Sequence, residues 1–172
     1  WSSTSNARVS CGDSGTTLLT GDASHLAGIF LDRLPHGAAL PSNYIIQVQV
    51  SMDLQSQSEF GIFFRNQPGS QQGAYSFLLN SSGYWRASIY DNQSGTASVL
   101  YGQQVTQAQL GAINTIDIIV QGNTFTFYLN HYRQGDAISN QYTQGAIGLA
   151  ASAGSSVSFK NLSIYTLPGE NP

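Results

Sequence analysis

From residue 44 to residue 54, apolar and polar side chains alternate almost without a break. Tyr44, Ile46, Val48, Val50, Met52 and Leu54 share one parity, while Gln47, Gln49, Ser51 and Asp53 hold the other. Successive side chains of a strand point to opposite faces, so this pattern predicts a strand with one buried face; a helix would need a period of 3.6. The same alternation recurs downstream. Phe60, Ile62 and Phe64 oppose Phe63 and Arg65; Tyr75, Phe77 and Leu79 oppose Ala74, Ser76 and Leu78; Trp85, Ala87 and Ile89 oppose Tyr84, Arg86, Ser88 and Tyr90. Residues 66–70 and 80–83 supply the Asn, Pro, Gly and Ser of turns between these runs. A three-stranded antiparallel meander is predicted. Ile116, Ile118 and Val120, followed by Phe125, Phe127 and Leu129, predict a hairpin closed at Gly122-Asn123, a pair suited to a two-residue turn that needs positive φ.

Shorter strands are predicted at 7–11, 16–20, 26–31, 96–101, 133–139, 146–151 and 157–166, with a loop at 34–42 and one helical turn at 106–110. The last strand changes parity, from Val157 and Phe159 to Leu162 and Ile164, which places a bulge near Lys160-Asn161. Many short strands, close turn signals and almost no helix mean a sandwich or barrel. One apolar face per strand favours two sheets packed face to face. We find no internal repeat, and we expect one domain over 1–172.

Composition narrows the function classes. Only 9% of the 172 residues are charged, against roughly 25% in ordinary soluble domains, so solubility rests on Ser, Thr, Asn and Gln. That balance suits an exported, extracytoplasmic β-rich domain. A net charge of −3 with six scattered Lys and Arg excludes a nucleic-acid binder, which needs a clustered basic surface. Cys11 is the only cysteine, so no intrachain disulfide and no thiolate metal cluster can form, and we expect it buried and structural. The three histidines (His25, His36 and His131) form no nucleophile motif with it. Apolar runs fall far short of the ~20 residues of a membrane span, so no membrane contact is expected from this segment. The chain opens on Trp1 with no signal-peptide pattern, and we expect a segment of a longer protein that carries any export signal or membrane anchor.

Several motifs, in this order, carry a family resemblance. Gly61-Ile62-Phe63-Phe64-Arg65 resembles the Gly-Ile-Phe-Phe-Arg motif of keto-disaccharide hydrolase-like domains. Asn114-Thr115-Ile116-Asp117-Ile118, through Gly122-Asn123 to Tyr128-Leu129-Asn130, is similar to their following hairpin. Gly145-Ala146-Ile147-Gly148-Leu149 and Val157-x-Phe159-x-Asn161-Leu162 fit their last two strands. The resemblance spans 43–167 and extends to extracytoplasmic domains of bacterial membrane-anchored Ser/Thr kinases. It implies membership of the concanavalin A-like lectin/glucanase superfamily, which also holds laminin G-like modules. The implied fold is an all-β jelly-roll sandwich of two curved antiparallel sheets, with sugars bound on the concave sheet or at its rim.

Catalysis finds little support. A glycosidase needs two carboxylates about 5–10 Å apart, and the only glutamates are Glu59 and Glu170. The related hydrolases usually carry Tyr then Glu after Gly-Ile-Phe-Phe-Arg; here Tyr75 is kept and Ser76 replaces the acid. Their Leu-Asn-Gly turn becomes Leu129-Asn130-His131. No catalytic residue is assigned. No cofactor is expected beyond one structural calcium, for which Asp13, Asp22, Asp32 and Asp136 are the available oxygens, although no loop has dedicated calcium spacing. What remains is a binding face: Arg65, Tyr84, Arg86, Tyr90, Tyr128 and Asn130 take the outward parity of their strands. If those strands are neighbours, aromatic surface lies beside planar donors, which suits the C–H faces and hydroxyls of a sugar. The leading expectation is a non-catalytic recognition or sensor domain for carbohydrate or cell-wall glycan. Two alternatives stand beside it. One is a sugar-active hydrolase with a non-standard acid arrangement, should Asp53, Glu59, Asp91 or Asp117 converge. The other is a structural or protein-interaction module.

Overall fold

A computed structural model describes residues 2–3, 7–12, 17–21, 27–52, 59–67, 73–80, 82–91, 96–104, 112–152 and 155–167. Its strands in chain order are β1 (Ser2–Ser3), β2 (Ala7–Cys11), β3 (Thr17–Gly21), β4 (Ala27–Leu31), β5 (Tyr44–Met52), β6 (Glu59–Asn66), β7 (Gly73–Asn80), β8 (Tyr84–Asp91), β9 (Thr96–Gln104), β10 (Asn114–Gln121), β11 (Thr124–Leu129), β12 (Tyr132–Ile138), β13 (Ala146–Ala151) and β14 (Ser156–Thr166). A 3-10 turn, Pro35–Gly37, interrupts the loop after β4. The strands form two seven-stranded antiparallel sheets. Sheet I runs β1-β4-β13-β6-β7-β8-β9, and sheet II runs β12-β11-β10-β5-β14-β3-β2. The helical turn expected at 106–110 lies outside the described residues, as does most of the turn at 66–70.

The alternating parities read from the sequence become the two inner faces. Ile46, Val48 and Val50 of β5 and Ile116, Ile118 and Val120 of β10 are buried from sheet II; Phe60, Ile62 and Phe64 of β6 and Phe77 and Trp85 are buried from sheet I. Aromatic rings lock the sheets together. Phe77 stacks on Phe127 with ring centroids 5.1 Å apart, and Phe64 meets Phe125 edge-on at 5.1 Å, pairs each contributing about 0.5–1.5 kcal/mol beyond their area. The meander β6-β7-β8 and the hairpin β10-β11 form as predicted. Gly122, the first turn residue, takes φ 57°, a conformation that costs glycine nothing. The bulge in β14 lies where the parity changes: the register with β5 shifts between Lys160 and Ser163, and Asn161 takes φ 54°.

Two features depart from simple alternation. The outer face of sheet I carries its own small apolar cluster, in which Phe63, Ala74, Leu78 and Ala150 are buried and Phe30 and Tyr90 pack against them. The second is at the end of β6. Its register with β13 shifts between Ala146 and Gly148, and Arg65 takes φ 50°. This irregularity carries Arg65 off its parity and turns it inward.

Candidate functional site

The six residues expected on one face occupy four places. Tyr84, Arg86 and Tyr90 lie on β8 in sheet I, on the outward parity. Tyr128 lies on β11 in sheet II, opposite Asp117 of β10, on the other side of the sandwich. Asn130 closes the turn after β11 with φ 51°. Its Oδ1 accepts from the Thr115 N–H (2.8 Å), and its Nδ2 donates to Asn114 Oδ1 (2.9 Å), so it fastens the β10-β11 pair. Arg65 is 2% exposed. The single cluster expected from parity therefore does not form, because strand parity cannot say which of two sheets a strand joins.

Arg65 is a brace between the sheets at one end of the sandwich. Its Nη1 donates to the Tyr142 carbonyl (3.0 Å) and its Nη2 to the Ser42 carbonyl (2.9 Å), while its guanidinium carbon stands 5.4 Å from the centre of the Phe125 ring. Tyr75 completes the brace. Its hydroxyl donates to Ser139 Oγ (3.0 Å) and accepts from the Tyr142 N–H (2.9 Å). Burial pushes the neighbouring Tyr44 hydroxyl well above the usual tyrosine range, with the Arg65 charge acting in the opposite sense. The Arg of the Gly-Ile-Phe-Phe-Arg motif and the retained Tyr thus tie two connecting segments to the core. Beside them the described residues line two cavities. One, of about 410 Å³, has Asp32, Arg33, Leu40, Asn66, Gln67 and Gln144 in its wall; the other, of about 250 Å³, includes Ser42, Asn43, Arg65 and Asn140.

The outer face of sheet I holds the richest polar chemistry. Arg86 reaches over β7 to Glu59 at the start of β6. Arg86 Nε donates to Oε1 (2.8 Å) and Nη2 to Oε2 (2.6 Å), a two-point fork whose side chains are 24% and 28% exposed. Glu59 is itself held by its backbone, which donates to Ser152 Oγ (2.7 Å) and accepts from the Ser152 N–H (2.7 Å). Tyr84 is 38% exposed and follows a tight turn, in which Asn80 Oδ1 accepts from the Ser82 and Tyr84 N–H groups. A Cβ on Gly102 of β9 would stand 2.7 Å from the Tyr84 hydroxyl, so the tyrosine reaches across to β9 and lies over this glycine. Further along, Ser76 and Ser88 face each other across β7 and β8. Both are buried, and neither hydroxyl has a hydrogen-bond partner among the described residues. Tyr90 beyond them is half-buried, its phenol pushed up first by burial and then by Asp91, and its ring packs on Phe63 at 5.4 Å.

Among the described residues, the candidate acids do not converge. Glu59 pairs with Asn80 at one end of β7 and Asp91 with Gly73 at the other, roughly 23 Å away at about 3.3 Å per residue. Asp117 is on sheet II, where it accepts from Gln47 Nε2 (2.8 Å) and stands 3.7 Å from His131. Asp53 lies outside the described residues. So do Asp13 and Asp22 of the calcium expectation, and Asp136 is paired with Arg133. Among the described residues, no three His, Cys, Asp or Glu side chains stand together as a metal would require. The side chain of Cys11 is not described. Sequence reasoning missed the role of Glu59, whose parity matches that of Gly61 and Phe63. Reading its partner needed the register of β6 on β7, and the turn-rich residues between those strands mark a turn without fixing which residues pair across it.

Comparison with known proteins places this geometry in context. A model of the 3-keto-alpha-glucoside-1,2-lyase-like domain matches residues 38–165. No curated protein sequence matches the chain. Among solved structures, the carbohydrate binding module CBM66 from Bacillus subtilis superposes with a TM-score of 0.77 at 16% identity, over 94% of this chain and 92% of that one. A Bacillus licheniformis beta-glucanase gives 0.60 at 14% identity, over 92% and 82%. Sheep galectin-11 gives 0.57 at 10% identity, over 83% and 99%. At these identities the superpositions establish the jelly-roll fold of the concanavalin A-like group.

Proposed function

The chain belongs to the 3-keto-alpha-glucoside-1,2-lyase-like domain family, and from that premise we propose that it is a non-catalytic carbohydrate-recognition domain whose binding face is the outer side of sheet I. The observation that carries this reading is the Glu59–Arg86 fork beside the exposed, flat-lying Tyr84. The fork presents acceptors and donors at fixed positions, matching adjacent hydroxyls, and the tyrosine offers a ring for a sugar's C–H face. Tyr90 bounds the face at the other end of β8. Neighbours of the same fold include a carbohydrate binding module, a galectin and a glucanase, which supports a saccharide ligand. Cell-wall glycan outside the cytoplasm is the setting that the charge-poor, Ser/Thr/Asn/Gln-rich composition favours. Among the described residues no helix is long and apolar enough to cross a membrane.

A sugar lyase or hydrolase is the competing reading, since the family model is named for a lyase. It would need a carboxylate free to move a proton. Glu59, the acid on this face, is engaged at both oxygens by Arg86. A glycan-array screen of the purified domain separates the readings, with Tyr84→Ala and Arg86→Ala as site variants. We expect saccharide binding that Tyr84→Ala weakens by about tenfold, the worth of one aromatic contact of roughly 1.4 kcal/mol, and no turnover of the bound glycan. Silence across the array, binding untouched by both variants, or release of cleaved product would each reject the proposal.

A further inference from the structure

We infer that Glu59 makes the outer face of sheet I selective for neutral saccharides over anionic ones such as polyuronates. The inference rests on the binding reading above and names its ligand class. Arginine recognises a carboxylate through two parallel N–H groups, and Arg86 already directs its Nε and Nη2 at Glu59. A ligand carboxylate would have to displace Glu59 or approach the remaining edge of the guanidinium beside a fixed negative charge. Displacement is opposed by the backbone, because Glu59 is tied to Ser152 through both its N–H and its carbonyl and does not move away with a flexible loop.

The other Lys and Arg residues belong to other parts of the fold. Arg65 is buried between the sheets, Arg133 pairs with Asp136 on β12, Lys160 and Arg8 are on β14 and β2 of sheet II, and Arg33 lines the end cavity. The fork is thus charge-neutral on a face with no second Lys or Arg among the described side chains. A neutral hydroxyl suits it better than an anion, since one O–H can donate to Glu59 while accepting from Arg86.

The test is affinity electrophoresis of the wild-type domain and Glu59→Gln through gels containing soluble starch, β-1,4-galactan or β-1,3-glucan, each run beside the same polymer oxidised at C6 to the polyuronate. Thermal melts of both proteins confirm the fold. For the neutral polymer that retards the wild type, we expect its polyuronate to bind at least about tenfold more weakly at low salt, as like charges near a protein surface dictate. Glutamine keeps the shape and removes the charge, so Glu59→Gln should narrow that ratio to about threefold or less, chiefly by gaining polyuronate binding. Equal or tighter binding of a polyuronate by the wild type, or an unchanged ratio in Glu59→Gln, overturns the selectivity while leaving saccharide binding intact. Retardation by none of the polymers overturns the binding reading, and the selectivity with it.

Discussion

Replacing Arg65 tests whether the motif arginine braces the fold or binds ligand. In Arg65→Met the aliphatic stem is retained, so packing against Phe125 changes little, but the Ser42 and Tyr142 carbonyls lose their charged donors. Hydrogen bonds from a charged group are worth about 1.5–3 kcal/mol each, so two give about 3–6 kcal/mol. About 1 kcal/mol returns because a buried charge is no longer held out of water. The expected loss is near 4 kcal/mol. For a domain of this size, each kcal/mol shifts Tm by about 2–4 °C, so the melt should fall by roughly 8–16 °C, with a matching drop in urea midpoint at unchanged slope. Arg65→Lys should recover part of the loss, because one ammonium can reach one carbonyl but cannot fork between two. Saccharide affinity, measured well below the melt, should be unchanged, since Arg65 lies between the sheets and not on the outer face of sheet I. A loss under about 1 kcal/mol, or loss of binding in a fully folded variant, would refute the brace.

Two further outcomes follow from buried polar groups. Ser76→Ala and Ser88→Ala should each be neutral or stabilise by up to about 1 kcal/mol in urea titration, because a buried hydroxyl without a partner costs its desolvation and returns nothing; destabilisation beyond that would reveal a partner. Tyr44 sets an alkaline limit. Its folded pKa lies above its unfolded one, so the folded state holds its proton more tightly. Its contribution is complete below the ordinary tyrosine range near ~10 and is lost as pH rises through and beyond it. Tyr44→Phe should flatten that alkaline decline, and a stability–pH curve identical to wild type above pH ~10 would exclude it.

Alternation from Tyr44 to Val50 and from Ile116 to Val120 determined two inner faces, because side-chain direction in a strand depends only on parity. The parity switch after Phe159 likewise marks the β14 bulge in the sequence itself. The order of motifs indicated the family, and through it the jelly roll. The same logic failed at Arg65, where a backbone irregularity with φ 50° moved one residue across the sheet; a positive φ at an arginine leaves no signature in composition or period. It failed again for Tyr128 and Asn130, since parity separates the faces of a strand but not the two sheets of a sandwich. Sheet order and register are set by contacts far apart in sequence, such as Ile116 with Val48 and Ala150 with Gly61. The Glu59–Arg86 fork exists only once β7 lies between its two strands, so the chemistry of this face was present in the sequence as residues and became a site only in the tertiary structure.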